Sequence, residues 1–229
     1  LDECADAGVD IDVGCEVHEV ARAGEGFNVD TARGRIAARA LVVASGGLSI
    51  PSLGGSGLGY ALARQFGHEV LPTRAGLVPL VLTGSHAQRL EGLSGVSLEV
   101  EAESRGQSFR NAMLVTHRGL SGPAILQVSS YWDAGEPLAI NLLPGLDALA
   151  FLREQKAAHP ASELRTVLAA HMPRRFAQRL CEHWLGDRPL RQFDEPALAR
   201  AAAALEAWPV VASGTEGYRT AEVTLGGVD

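Results

Sequence analysis

The sequence predicts an α/β protein of the α+β multidomain kind, in which a strand-and-helix domain is interrupted by a β-rich unit and a helical unit. Three observations predict it. A short apolar run, Leu41–Ala44, ends in Ser45-Gly46-Gly47 and leads through a loop rich in Gly, Ser and Pro into a helix. After Pro72 the texture changes to short strands. From Leu146 to Leu205 the chain turns helical, and strand texture returns at Val210–Ala212 and Arg219–Thr224.

Leu1–Gly8 reads as the end of a helix. Val9–Val17 puts Val9, Ile11, Val13, Cys15 and Val17 at every second position, which predicts a strand. Gly26–Asp30 and Arg35–Ala38 continue as short strands split by glycines, so the three predict a β-meander. Leu41–Ala44 predicts a buried parallel strand that ends in a tight turn. A helix is expected from about Gly57 to Phe66, with Leu58, Leu62 and Phe66 on one face and Gly67 ending it. Leu77–Leu82, Val96–Ala102 and Phe109–Thr116 predict strands of a β-rich unit. Pro123–Trp132 predicts a helix with Pro123 at its first position and Gly122 or Ser121 capping it. Leu138–Leu142 is a further strand. The helical stretch is broken at His159-Pro160, Met172-Pro173 and Gly186–Pro189, and Pro196 opens its last helix. The expected division is 1–72 with 215–229, then 73–145 with 206–214, and 146–205 as the helical part.

The 229 residues suffice for a sizeable core. At 46% hydrophobic and 21% charged, the composition is that of a globular protein. Aromatic residues are only 5% and the net charge is −7, which argues against a nucleic-acid partner. No apolar run approaches the roughly 20 residues of a membrane helix, and the acidic opening LDECADAGVD is no secretion signal. Cys4, Cys15 and Cys181 form no CxxC pair, so no metal site is expected, and sparse cysteines suit a reducing cytoplasm. The chain starts without Met and stops just after a glycine pair, so both ends are expected to be cuts through a longer protein.

Three segments carry candidate chemistry. Leu41–Ala63 joins a strand end of small residues to a second glycine cluster and a helix N-terminus, which lets backbone approach an anion or a ring edge. Its glycines form GxGxG rather than GxGxxG, and they also fit plain turn chemistry. Thr116-His117-Arg118-Gly119-Leu120-Ser121-Gly122-Pro123 gathers a His, an Arg, two hydroxyls and capping N–H groups, a set that can bind an anion and donate a proton. It also fits a capped helix beside a surface His. Gly214–Asp229 ends a strand in Gly226-Gly227. The remaining histidines (His18, His68, His86, His159, His171 and His183) have no metal-like spacing.

Taken together, ASGGLSIPSLGGSGLGYALARQFGHEVLPTRAGLVPL from Ala44, MLVTHRGLSGPAIL from Met113 and TEGYRTAEVTLGGVD from Thr215 resemble the BaiN/YhiN-like flavoprotein family of NAD(P)/FAD-dependent oxidoreductases. The resemblance runs along essentially the whole chain. It implies a glutathione-reductase-like FAD domain interrupted by a β-barrel and a helical insert. It implies FAD contacts at Val17, at Ala44, Ser45, Gly46 and Gly47, at Gly55 and Gly57, and at Thr224, Gly226 and Gly227. Leu58 departs from the Asp common at that place. The family's N-terminal GxGxxG and its glycine-rich closing segment are not in this sequence, so the chain alone is expected to bind FAD weakly and to be inactive.

The implied activity is hydride transfer between flavin and a small unsaturated or carbonyl-bearing substrate, with NAD(P)H a candidate electron donor. Thr116, His117, Arg118 and Ser121 are the catalytic candidates, as a roof over the substrate. The competing reading is a non-catalytic binding module with a vestigial flavin site. The sequence expectation for partners is a small molecule, no nucleic acid and no membrane. It leaves the oligomeric state open.

Overall fold

The computed structural model describes residues 1–229. The chain opens with a short helix α1 (Asp2–Asp6). A meander forms, with a first strand that starts only where the expected Val9–Val17 strand ends: β1 (Val17–Ala23), β2 (Gly26–Thr31) and β3 (Gly34–Ala38), in the order β1-β2-β3 and antiparallel throughout. Val20 and Val29 sit opposite each other across β1 and β2. With Leu62 they form a core of three buried residues.

Two expected strands do not form. Of Val9–Val17, only Val17 enters a strand. Gly14, at φ +62°, turns the chain out of an extended path, and Val9, Ile11 and Val13 stay exposed. Leu41–Ala44 forms no strand either, and Val42 is 85% exposed. An apolar run becomes a strand only where a neighbour accepts its ladder bonds, and residues 41–47 donate none to other backbone.

α2 (Leu58–Gln65) is tied to the meander by the Gln65 amide, which donates to the Val20 carbonyl at 2.6 Å. Gly67 follows in the left-handed region, as a helix-ending glycine does. β4 (Val70–Gly76), hidden in the sequence by its Pro72, follows next. Its partner is the last strand of the chain, Val223–Val228, antiparallel and with a bulge between Leu225 and Gly227. The early part of the chain and its end therefore meet in one two-stranded ribbon.

Between them lies an antiparallel seven-stranded sheet. Its strands are β5 (Leu80–Val81), β6 (Ser97–Ser104), β7 (Gln107–Val115), β8 (Gly119–Ser121), β9 (Pro137–Asn141), β10 (Trp208–Val211) and β11 (Gly214–Thr215), in the spatial order β10-β9-β6-β7-β8-β5-β11. The ribbon strand Val223–Val228 is β12. In β6, Leu98, Val100 and Ala102 point inward while Glu99, Glu101 and Glu103 alternate with them, the period of a half-buried strand. α3 (Gly84–Arg89) follows β5, and α4 (Pro123–Ser129) packs Ala124, Ile125 and Val128 onto the sheet. The helical stretch contributes α5 (Ala148–Ala158), α6 (Leu164–Leu168), α7 (Arg174–Leu180) and α8 (Glu195–Glu206). Asp147 and Asp194 cap α5 and α8, each accepting a backbone N–H at 2.8 Å. Sheet and helices share one core of 39 residues, with Trp208 edge-on to Phe176 and Trp184.

Candidate functional site

The Ser45–Ser49 turn is held from the far end of the chain. The Thr224 hydroxyl on β12 accepts from Leu48 N at 3.0 Å and from Ser49 N at 3.1 Å, and it shares a hydrogen bond with Ser49 Oγ at 2.9 Å. Ile50 N donates to the Tyr218 carbonyl at 2.9 Å. Three of the glycines are required by the chain's own packing. A Cβ at Gly47 would lie 2.8 Å from both Thr224 Oγ1 and the Tyr60 hydroxyl. At Gly55 it would lie 2.4 Å from the Ser49 carbonyl oxygen, and at Gly226 it would lie 2.2 Å from that of Pro72. Gly46 differs: it adopts φ +70°, with nothing within 4 Å of where a Cβ would be. The backbone there is fixed in a conformation that favours glycine, and its Cβ side is open.

That open side belongs to a cavity of about 480 Å³ lined by Ser45, Gly46, Gly59, Tyr60 and Val228, together with apolar side chains of β2, α2 and residues 41–43. Arg22 and His68 are its cationic and titratable members. Ser45 Oγ is buried and has no hydrogen-bond partner in the chain, an unmet requirement of the kind a ligand satisfies. Among the sequence candidates, the structure gathers Ser45 and Gly46 at the cavity, with Gly47 in the same turn and Thr224 directly behind it, while Gly226 packs on Pro72 of β4. A Cβ at Gly227 would lie 3.4 Å from the Tyr60 ring. Gly55 and Gly57 shape the loop, Ala44 is exposed, and Val17 lies on β1 beside the small core rather than in the cavity lining. Sequence reasoning passed over Tyr60. Its signal was an aromatic residue directly after the glycine cluster.

The Thr116–Pro123 segment is a hairpin rather than the expected strand-to-helix loop. Thr116 N donates to the Gly119 carbonyl at 2.8 Å, and Thr116 Oγ1 accepts from Arg118 N and Gly119 N. Residues 119–121 thus form β8 beside β7. Ser121 does not cap α4, and a Cβ at Gly122 would lie 2.7 Å from the Ala112 carbonyl oxygen, so this helix start is pressed onto β7. Arg118 pairs with Glu216 at 3.4 Å, while His117 is exposed and engages no neighbour through hydrogen bonds. Thr116 and His117 line a separate cavity of about 450 Å³, which shares no residue with the first. The two are joined through the chain: Glu216, paired with Arg118, stands two residues before Tyr218, whose carbonyl holds Ile50.

Cys181 is buried beneath the helices, and desolvation pushes its thiol up to about 12. A thiol of that kind is unreactive. No helix is long and apolar enough to cross a membrane.

The chain has a mixed α+β fold with a glycine-rich turn beside a cavity, and its relatives are members of a flavoprotein-like oxidoreductase family. Residues 74–223 match the family described as HI0933-like protein barrel and H2TH domain, and the chain belongs to it. Over its full length it is 47% identical to a protein of Escherichia coli named ribosomal RNA dihydrouridine synthase, covering 58% of that protein. A Haemophilus influenzae protein of the same name is 40% identical over 82% of the chain, which covers 47% of that protein. The 3-dehydro-bile acid delta(4,6)-reductase of Clostridium scindens is 26% identical over 96% of the chain and 57% of its own length. The chain thus spans about half the length of these relatives, all of which are named as enzymes.

The names of the first two overturn the expectation of a small-molecule substrate and no nucleic acid. The expectation of no nucleic acid rested on a low aromatic content and on net charge, both sums over the whole chain. Exposed charges are screened beyond about 8 Å at physiological ionic strength, so local placement decides and the sum does not.

Proposed function

We propose that the protein this chain belongs to is an FAD-dependent reductase that converts uridine to dihydrouridine in ribosomal RNA. The observation that carries the reading is the 47% identity with the Escherichia coli ribosomal RNA dihydrouridine synthase along the entire chain. The turn fits a flavin: the orphaned, buried Ser45 Oγ needs a partner, and the open side of Gly46 leaves backbone free for close approach. Ser45, Gly46 and Gly47 would hold the cofactor, with Thr224 bracing the turn from behind and Gly226 and Gly227 as further proposed contacts. Val17, Ala44, Gly55 and Gly57 complete the proposed contact set. A flavin held there would, once reduced by two electrons for which NAD(P)H is the proposed source, supply hydride chemistry to the C5–C6 bond of the pyrimidine.

The second hydrogen arrives as a proton. Within the Thr116–Ser121 set, Thr116 is engaged by its own turn and Arg118 by Glu216, which leaves His117 free to act on a substrate. His117 is the proposed donor, since its exposed imidazole is free of partners in the chain and can carry a proton. Thr116, Arg118 and Ser121 position the turn that carries it. The sparse, unpaired cysteines suit the proposed cytoplasmic setting. The test is nucleoside analysis of ribosomal RNA from cells lacking the gene, complemented with the full-length protein or with His117→Ala. Dihydrouridine should be lost on deletion, return with the full-length protein, and form roughly 10²–10⁴-fold more slowly with His117→Ala. Unchanged dihydrouridine on deletion would refute the reading.

A further inference from the structure

We propose that a furrow across the helical insert is the track for the RNA backbone, an inference that rests on the ribosomal RNA reading above. Three concavities adjoin there. The first is the 450 Å³ cavity between the Thr116–Arg118 turn and Gln88–Ser94. The second, about 260 Å³, lies where Gly92 and Leu93 meet α7. The third, about 490 Å³, lies between α6 and α7. Gly92 lines the first and second, and Gln178 lines the second and third, so the three run on as one furrow.

The sequence of α7, RRFAQRL, builds its middle. Phe176, Ala177 and Leu180 are buried and fix the helix on the core. Residues one turn apart share a face. Arg174 and Gln178 therefore border the third concavity, and Arg175 and Arg179 border the second.

The charge on these walls is not neutralised evenly. Arg165 is paired with Glu163 and Asp187, Arg179 with Glu182, and Arg118 with Glu216. Arg175 donates to the Gly92 carbonyl and pairs with no carboxylate, and the Arg174 side chain has no hydrogen-bond or ion-pair partner in the chain. A guanidinium has five donors, so one backbone contact leaves Arg175 most of its capacity. The free positive charge therefore sits at the start of α7, with His117 at the other end of the furrow.

The chemistry of the lining selects a polyanion. Arginine makes forked contacts to phosphate, and all but one of the chain's 20 cationic residues are arginine. The neighbours are Gln88, Ser94, Thr166 and Gln178, which suit a hydrated backbone rather than an apolar ligand, with Glu91 the one lining carboxylate that no arginine side chain pairs. The furrow ends at the turn that Arg118, Glu216 and Tyr218 connect to the Ser45–Ser49 loop. A strand lying along it is led toward the proposed flavin site.

The experiment is anisotropy of labelled, deproteinised ribosomal RNA fragments titrated with the full-length protein across a salt series. Variants are Arg174→Glu, the double change Arg174→Glu with Arg175→Glu, and Arg64→Glu on α2 as the control. Arg174→Glu removes no internal bond, so its fold should be intact, and flavin content checks this in every variant. The double variant should bind roughly tenfold more weakly. Its slope of log affinity against log salt should shrink by about 0.7–0.9 for each phosphate that the protein no longer neutralises. Arg174→Glu should show a smaller change in the same direction, and Arg64→Glu none. If the unaltered protein binds the RNA and both furrow variants match it in affinity and slope, the furrow is overturned and the ribosomal RNA reading stands. If the unaltered protein binds no ribosomal RNA, the reading itself falls, and the furrow with it.

Discussion

The sheet-and-helix region and the meander region are held together in opposite ways. Between Leu80 and Ala212, 39 buried residues form one continuous core, with Trp208, Phe176 and Phe193 among its largest members. Around the meander the buried cluster is Val20, Val29 and Leu62, while Val9, Ile11, Val13, Val42 and Val43 stay exposed. The orphaned Ser45 hydroxyl and the apolar cavity belong to the thinly packed region. The cationic furrow belongs to the thickly packed one. Ligand-admitting segments are drawn from the low-stability end of a fold. An extended track for a stiff polyanion is better served by a surface that does not yield.

Breaking the core should give the largest contrast. Trp208→Ala is expected to cost about 3–5 kcal/mol, since a large side chain leaves a cavity that a dense core cannot close. Leu62→Ala should fall near the lower limit for such changes, about 2 kcal/mol, because its few neighbours can relax. Urea denaturation measures both, and equal costs would remove the distinction between the regions.

The tether between the two regions comes next. Thr224→Val keeps the shape of the side chain but leaves Leu48 N and Ser49 N without their acceptor. The expected loss is about 1–3 kcal/mol, together with reduced flavin in the purified full-length protein. Normal stability with normal flavin would show that β12 does not hold the turn.

The glycines separate packing from ligand approach within the thin region. Gly55→Ala would drive a Cβ into the Ser49 carbonyl, so the loop itself must move. Gly46→Ala meets open space and costs only the left-handed strain of about 1–2 kcal/mol. Its fold should survive with flavin content lowered, as absorbance of the full-length protein would report.

The cysteines give the smallest effect. Cys4 and Cys15 are partly exposed and should react with a thiol reagent in the native protein, whereas Cys181 should react only after unfolding. Burial raises the folded-state pKa of Cys181 to about 12, above the roughly 8.5 of an unfolded thiol. Its contribution to stability is therefore complete below about pH 8.5 and is lost as pH rises toward the folded value. Cys181→Ala should flatten that part of the pH–stability curve. Rapid native labelling of Cys181 would contradict the buried placement.

Much of this fold is legible in the sequence. The meander follows from its glycines, α8 from Pro196 and its alanines, and α2 from the spacing of Leu58, Leu62 and Phe66. The misses have physical causes. Leu41–Ala44 reads as a strand because apolar β-branched runs favour one, but a run cannot pair with itself. β4 is hidden because Pro72 and Arg74 sit in it, and its pairing partner lies about 150 residues away, at Val223–Val228. The β7–β8 hairpin escapes notice because Ser121 and Gly122 read as signals for the helix start, where Gly122 does stand, while backbone bonding at Thr116 decides the turn before it. Ser45, Gly46 and Thr224 are visible as candidates from the resemblance, but the assembly of three concavities along α7 depends on tertiary contact at Gly92 and Gln178. No window of sequence displays that.

The proposed reduction of uridine in ribosomal RNA, with a flavin at the Ser45–Gly47 turn, is tested in a single reaction. Purified full-length protein is incubated with NAD(P)H and ribosomal RNA from cells lacking the gene, and dihydrouridine is read by mass spectrometry. Dihydrouridine should form only with both RNA and reductant present. Gly46→Val, folded but stripped of flavin, should form none. Dihydrouridine produced equally by Gly46→Val, or none produced by the flavin-loaded unaltered protein, would contradict the proposed function.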